Sequence, residues 1–232
     1  MNHWLELEKC SKNYVYFIEK FTNLKLYPFQ KKFITEVEEN RFNIAVKFRN
    51  SGLSTLSYYY GLWKCLFKDK QTICLFSCSA REAKFIQNTV REVADETNIK
   101  FINRYNEIYF PLTDSHFYFL GADHNNIRGR APTHIILDEP AFMSEIDRLW
   151  EVCVPMLGKE TKVIAVSTTN GVDNWFYFTY DNAVKKSNSF HAIDVQYWEC
   201  WDYQDTQYLE HVKASLGEKR FCQEIMGYFT TS

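Results

Sequence analysis

The sequence predicts an α/β fold in which a mostly parallel central sheet is covered by helices on both faces. Short runs rich in Val, Ile, Leu and Phe alternate with longer segments of helical periodicity, the arrangement that crossover-connected parallel strands require. The runs are apolar at nearly every position, not every second one, which marks strands buried on both faces. FNIAVK (42–47) opens the sheet and the stretch Leu53–Phe67 follows as its helix. TICLFS (Thr72–Ser77) is a second strand, followed by an amphipathic helix over 80–97. HFYFLG (116–121) and THIILD (133–138) are further strands, 144–157 is helical, KVIAVST (162–168) is a strand and 175–185 is again helical. Ligands of such sheets bind beyond the carboxyl ends of the strands, so the chemistry is expected just after each strand.

Composition sets the outer bounds. A chain of 232 residues suffices for one large domain with a real core. Its 46% hydrophobic and 17% aromatic content excludes a disordered chain. The net charge of −2 offers no global attraction to nucleic acid, so any DNA contact has to come from a local basic patch. Lys64, Lys68 and Lys70, or Lys185 and Lys186, are candidates, each with a plainly solvated face as the alternative. The 7 cysteines are odd in number, form no CxxC and sit mostly in apolar runs. They read as reduced core thiols of a cytosolic protein. Neither a signal peptide nor a membrane-spanning run is apparent, so a soluble intracellular chain is expected.

After the first strand, Lys47-Phe48-Arg49-Asn50-Ser51-Gly52-Leu53-Ser54-Thr55 opens a helix. It partly matches the phosphate-binding loop G-x-x-x-x-G-K-[ST]. Gly52 and Ser54 are in place, while Lys47 replaces the first glycine and Leu53 the lysine. The context of strand, loop and helix N-terminus is the one the motif needs, because backbone N–H groups and the helix dipole can themselves cradle phosphates. Ser54 can ligate Mg²⁺ and Thr55 can reach an earlier phosphate. The missing point charge falls to Lys47 or Arg49. An ordinary strand–turn–helix with a basic turn is the alternative for this segment alone.

THIILDEP carries the stronger signal, since two adjacent acids at the end of a buried strand need a compensating partner. A metal-bound triphosphate supplies one: Asp138 would hold Mg²⁺ through its water shell and Glu139 would polarise the attacking water. After KVIAVST, Thr168, Thr169, Asn170 and Gly171 could hold a water near the γ-phosphate and switch partners when it leaves. A helix N-cap with a glycine turn would look the same. Arg128 and Arg130, around Gly129, suit phosphate or transition-state charge or a solvated loop. Near the N-terminus, Tyr27 or Phe29 could stack on adenine while Gln30 reads its edge, although ordinary packing has the same appearance.

Taken in order, LYPFQ (26–30), KFRNSGLST (47–55), FSCSAREA (76–83), NIRGR (126–130), IILDE (135–139), VSTTNG (166–171) and RFCQEIMGYF (220–229) resemble the ATPase domain of the large terminase subunit of tailed bacteriophages. STTNG and FxQExxxxF tie the resemblance to the T4-like branch. It implies an ASCE-type P-loop NTPase that uses ATP and Mg²⁺ to package viral double-stranded DNA. Double-stranded DNA, the portal protein and the small terminase subunit would be the partners, with no membrane involved. The chain would form a homo-oligomeric ring when assembled on the capsid, with a monomer as the state in isolation. Its place would be the host cytoplasm and, transiently, the procapsid portal, not the virion.

Residue by residue, the resemblance implies that Gln30 senses adenine, Asp138 attends the Mg²⁺ and Glu139 is the catalytic carboxylate. Ser167, Thr168 and Thr169 become a coupling motif, and Arg128 an arginine finger reaching the neighbouring subunit. Nucleotide would rest on Tyr27, Gln30, Lys47, Arg49, Asn50, Ser51, Gly52, Leu53, Ser54 and Thr55. Lys47 fits a variant of the family that carries the basic residue at the front of the loop, and Arg49 matches an arginine common there. The expected organisation is a single ATPase domain: a helical, adenine-contacting subregion (1–40), the P-loop core (41–200) and a C-terminal helical lid or linker end (201–232). Relatives continue into an RNase H-like nuclease. No metal-binding Asp cluster for one is seen here, so a motor domain alone or the product of a split gene is expected, without nuclease activity. Two competing readings are a nucleotide-binding assembly module with little intrinsic hydrolysis, suggested by Leu53, and a helicase-like translocase.

Overall fold

The computed structural model of the chain describes residues 3–127 and 129–231. Helices α1 (His3–Lys12), α2 (Tyr14–Phe21) and α3 (Pro28–Glu39) precede the sheet. Asn13 caps α2, and α3 starts on Pro28 because proline's missing N–H costs nothing in a first turn. The core then runs β1 (Phe42–Val46), α4 (Leu53–Phe67), β2 (Thr72–Ser77), α5 (Ala80–Glu96), β3 (Ile102–Asn103), β4 (Glu107–Phe110) and β5 (Ser115–Gly121). It continues through β6 (His134–Asp138), α6 (Ile146–Cys153), β7 (Lys162–Ser167), α7 (Trp175–Val184) and β8 (His191–Asp194). Two helices, α8 (Thr206–Leu216) and α9 (Glu218–Glu224), end the described chain.

The strands form one sheet in the order β3-β4-β5-β2-β6-β7-β1-β8. From β5 to β8 every pair is parallel, as the apolar runs predict, and β3 and β4 add an antiparallel edge. That edge and β8 are not evident in the sequence. Both β3 residues are exposed and β8 (HAID) has one fully buried position, so neither has the continuous apolar character that betrays the inner strands. The helix expected over 144–157 stops at Cys153 and tightens into a 3₁₀ turn at Val154–Met156, because Pro155 has no N–H to continue the α-helical ladder.

Side chains of the inner strands alternate between two cores. Ala45, Ile73, Leu75, Ile136, Ile164 and Val166 face the side covered by α1–α5 and the C-terminal helices. Ile44, Val46, Cys74, Phe76, Ile135, Leu137, Val163 and Ala165 face the side covered by α6 and α7. All seven cysteines are free thiols, five of them buried. Among the described residues no helix is long and apolar enough to cross a membrane.

The topology aligns the strand ends. β7 lies between β1 and β6, with Val46 level with Ser167 and Asp138 level with Val166. Lys47, Thr168 and Glu139, each just after its strand, therefore stand in a row along one edge of the sheet. Helix α4, which leaves the loop after β1, packs hard against the sheet at Gly61. A Cβ there would lie 2.7 Å from Phe117 Cζ and 3.2 Å from Ile73 Cγ2. Replacing Gly61 by Val should destabilise the fold by about 2 kcal/mol through overpacking. Urea unfolding measures this, and an unchanged midpoint would contradict the close approach.

Candidate nucleotide site at the strand ends

The loop after β1 is held by packing on one side and by hydrogen bonds on the other. Phe48 is fully buried and its ring meets Phe29 at 5.8 Å and Tyr203 at 5.2 Å. Asn50 (φ 62°) and Gly52 (φ 79°) adopt left-handed backbone, which turns the chain sharply into α4. Gly52 is required twice over, since a Cβ there would also lie 2.7 Å from Gln30 Nε2. Gln30 braces the turn: its Oε1 accepts from the Tyr27 N–H at 3.0 Å and its Nε2 donates to the Ser51 carbonyl at 2.8 Å. The Leu53 side chain is wholly buried, so at the position of the usual lysine only a backbone N–H can serve a ligand.

Strand alternation puts Asp138 on the face shared with α4. An extended Glu139 would point to the other face. Instead Glu139 takes a left-handed conformation (φ 56°, ψ 48°), with its N–H donating to Val166 O at 2.9 Å. Such backbone costs about 1–3 kcal/mol in a non-glycine residue and persists where surroundings enforce it. The result is that both acids line one cleft of about 830 Å³, together with Lys47, Arg49–Ser51, Gly52, Ser54, Thr55 and Tyr58.

Within the cleft Glu139 is fully engaged. Its Oε1 accepts from Lys47 Nζ at 2.6 Å, and its Oε2 accepts from Ser167 Oγ at 3.0 Å and the Thr168 N–H at 2.9 Å. Lys47 is buried, with a side chain 6% exposed, whereas the Arg49 side chain is 58% exposed and leans toward Glu224 at 3.7 Å. Asp138 Oδ2 accepts from the Tyr58 hydroxyl. Asp138 Oδ1 and Ser54 Oγ are buried polar atoms without a well-formed hydrogen bond. Burial lifts the Asp138 pKa above the ordinary 3.8. Nearby Ser54 and Tyr58 oppose that rise, Glu139 reinforces it and Lys47 opposes it.

The C-terminal segment closes over the loop. The Arg49 N–H donates to Glu224 O at 2.6 Å, and the Tyr203 hydroxyl donates to Arg49 O at 2.9 Å. Thr169 Oγ1 reaches Gln223 O at 3.2 Å and Tyr228 O at 2.8 Å. Beside the loop, a second hollow of about 450 Å³ is lined by Tyr27, Phe29, Gln30, Asn50, Ser51, Tyr203 and Tyr208, among others. Tyr27 stacks on Phe29 at 5.6 Å and meets Trp201 edge-on at 5.9 Å.

The structure thus brings together Tyr27, Gln30, Lys47, Arg49, Asn50, Ser51, Gly52, Ser54, Thr55, Asp138, Glu139, Ser167, Thr168 and Thr169 around two adjoining hollows. Arg128 lies outside the described residues. Arg130, two positions on, rests over the Tyr118 ring at 4.4 Å. Sequence reasoning missed Tyr58, Tyr203, Tyr208 and Glu224. Tyr58 was discoverable, because it follows Ser54 by one helical turn and so shares its face. Glu224 lies within the FxQExxxxF stretch, which carried the resemblance without showing that it meets the loop, and Tyr203 and Tyr208 arrive from a distant segment with no local sign of the site.

The buried Asp138 carries a stability cost with a defined pH dependence. With its native pKa above 3.8, the folded chain keeps a proton that the unfolded chain has released. Stability therefore falls as pH rises from 3.8 through the native value, and stays lowered above it. Asp138→Asn should raise stability at pH 7 by about 1 kcal/mol, the scale of one relieved unfavourable site, and the gain should vanish at the acid end of that window. Denaturant unfolding at neutral and acid pH tests this; destabilisation at neutral pH would contradict it.

A family model described as terminase large subunit, T4likevirus-type, N-terminal, matches residues 45–232. Among curated proteins no match is found. Several solved structures share the fold. A variant of the large terminase ATPase domain of Thermus phage P74-26 aligns with TM-score 0.75 at 17% identity, covering 91% of this chain and 97% of that one. The bacteriophage HK97 large terminase aligns with TM-score 0.75 at 16% identity, covering 94% of this chain and 55% of that one. The large terminase of the thermophilic bacteriophage D6E, in complex with ATP-gamma-S, aligns with TM-score 0.70 at 14% identity over 89% of this chain and 53% of that one. The chain spans about half the length of the HK97 and D6E proteins, and at these identities the likeness is one of fold. The family match covers most of the chain and takes in the loop after β1, the Asp138–Glu139 strand end and the C-terminal segment: this chain belongs to the T4likevirus-type family of terminase large subunits, matching its N-terminal part.

Proposed function

We propose that this chain binds ATP with Mg²⁺ and hydrolyses it to drive double-stranded DNA into a viral capsid. The observation that carries the reading is the placement of Glu139: a carboxylate held at a strand end directly across the cleft from a phosphate-binding loop, by a lysine of that loop and by the end of β7. The solved D6E large terminase complexes with ADP and with ATP-gamma-S support a nucleotide in this fold.

Within this reading the backbone N–H groups of Asn50–Thr55 and the α4 N-terminus receive the phosphates. Lys47 is the better placed cation, because it is buried and already reaches across the cleft, while Arg49 stands at its exposed mouth. Ser54 and Asp138 would hold Mg²⁺: they offer hard oxygen atoms, Ser54 Oγ and Asp138 Oδ1, that the fold buries without a well-formed hydrogen bond. When bound, the cation neutralises phosphate charge as a Lewis acid. A triphosphate that draws Lys47 toward itself releases Glu139 Oε1 to accept a proton from water, while Ser167 and Thr168 keep Oε2 in place. The hollow lined by Tyr27 and Gln30 receives the adenine. Thr169, tied to the 223–228 segment, passes the change at the β7 end to the C-terminal helices.

Membership of the family further supports action with the portal, the small terminase subunit and DNA, in the host cell during packaging. One observation favours a second reading, an assembly module with little intrinsic hydrolysis. The Lys47–Glu139 pair neutralises the catalytic carboxylate and occupies the loop's buried cation.

Steady-state phosphate release separates the two. Glu139→Gln should lower kcat by about 10²–10⁴-fold while ATP still binds, and Lys47→Ala should weaken both binding and turnover. Full activity in Glu139→Gln would sink the catalytic assignment. A chain that binds ATP but turns over no faster than Glu139→Gln would establish the module.

A further inference from the structure

Two tyrosines of α4 reach carboxylates, and the contrast between them is informative. Tyr60 donates its hydroxyl to Glu38, a carboxylate that Lys64 also neutralises at 2.9 Å. That contact is a closed structural pair near the amino edge of the sheet. Tyr58 donates to Asp138, a carboxylate beside the phosphate-binding loop whose other oxygen is buried and has no well-formed partner. Ser54 and Tyr58, one helical turn apart, both line the cleft with Asp138.

We propose that Tyr58 is a positioning residue for the cation site: its hydroxyl pins Asp138 Oδ2 so that Oδ1 is kept for hydrated Mg²⁺. This rests on the Mg²⁺–ATP reading given above. The terminal torsion of an aspartate is broad and roughly two-fold, so an unpinned carboxylate can pivot and present either oxygen at many angles. One donor fixed to one oxygen removes that freedom. Its rigidity comes from the frame around it: Tyr58 is 8% exposed on a helix seated against the sheet at Gly61, and Asp138 ends a central strand. Partners that orient metal-holding groups in this way are worth about 10–100-fold in metal affinity or activity. A tyrosine that merely filled space would be replaceable by phenylalanine at no cost to the cation.

The test titrates Mg²⁺ into the chain with a fluorescent ATP analogue and measures the analogue's affinity separately in EDTA. Tyr58→Phe keeps the ring and removes only the hydroxyl. It should raise the Mg²⁺ midpoint about tenfold or more and leave the affinity in EDTA unchanged. Tyr60→Phe should leave the Mg²⁺ midpoint unchanged. In an Asp138→Asn background, Tyr58→Phe should add nothing to the shift that Asp138→Asn itself produces, a comparison that does not depend on turnover. A wild-type midpoint in Tyr58→Phe overturns the proposal. So does an equal loss of affinity in EDTA, or a full additive effect on top of Asp138→Asn. Failure of the wild-type chain to bind the analogue at all would instead overturn the Mg²⁺–ATP reading, and this proposal with it.

Discussion

The carboxylate of Glu139 is the point on which the site turns. One oxygen accepts from the buried Lys47 of the loop after β1, and the other from Ser167 and Thr168 at the end of β7. A single side chain thus joins the ends of β1, β6 and β7. Removing one member of a buried ion pair leaves a charge in low dielectric, so the arrangement is costly to break without a replacement anion. A triphosphate is such a replacement. Under the proposed function it is this Lys47–Glu139 pair that the nucleotide would exchange for its own contact with Lys47.

Sheet order makes this sharing possible. Because β7 is inserted between β1 and β6, its last residue sits level with the end of β1 and one step from Glu139. The hydroxyl of Thr169 then bonds to Gln223 and Tyr228, while Arg49 bonds through its backbone to Glu224 and Tyr203. The C-terminal helices are therefore wired to both walls of the cleft through backbone carbonyls and hydroxyls, contacts that a small shift at either wall would strain together. Helix α8 buries none of its residues fully and rests on the core through half-buried Leu209, Val212 and Leu216.

The cleft also collects features that cost stability. Glu139 is a left-handed non-glycine residue, Asp138 is an acid that burial makes reluctant to ionise, and Ser54 Oγ and Asp138 Oδ1 lie buried without good partners. By contrast, the buried Gln87 amide is satisfied, donating to Asn103, Arg104 and Glu107.

The parallel sheet, the crossover helices and the two strand ends that carry the loop and the paired acids were legible in the residues alone. Each rests on local physics: continuous apolar runs, helical periodicity, and charges that cannot end a buried strand without a reason. Leu53–Phe67 and Thr72–Ser77 appear with the boundaries that the pattern predicts. The strands β3, β4 and β8 were not legible, because strands of two to four residues owe their existence to a neighbour's hydrogen bonds. The same holds for Tyr203, Tyr208 and Glu224, which approach the loop only after the chain has wrapped round the sheet. Residue types named the candidates for the missing phosphate-loop charge, and the sequence by itself left Lys47 and Arg49 equal. Tertiary structure places them differently, burying Lys47 against Glu139 and leaving Arg49 at the surface. The physical reason is that burial and pairing are properties of where strand ends meet, which no single stretch of sequence contains.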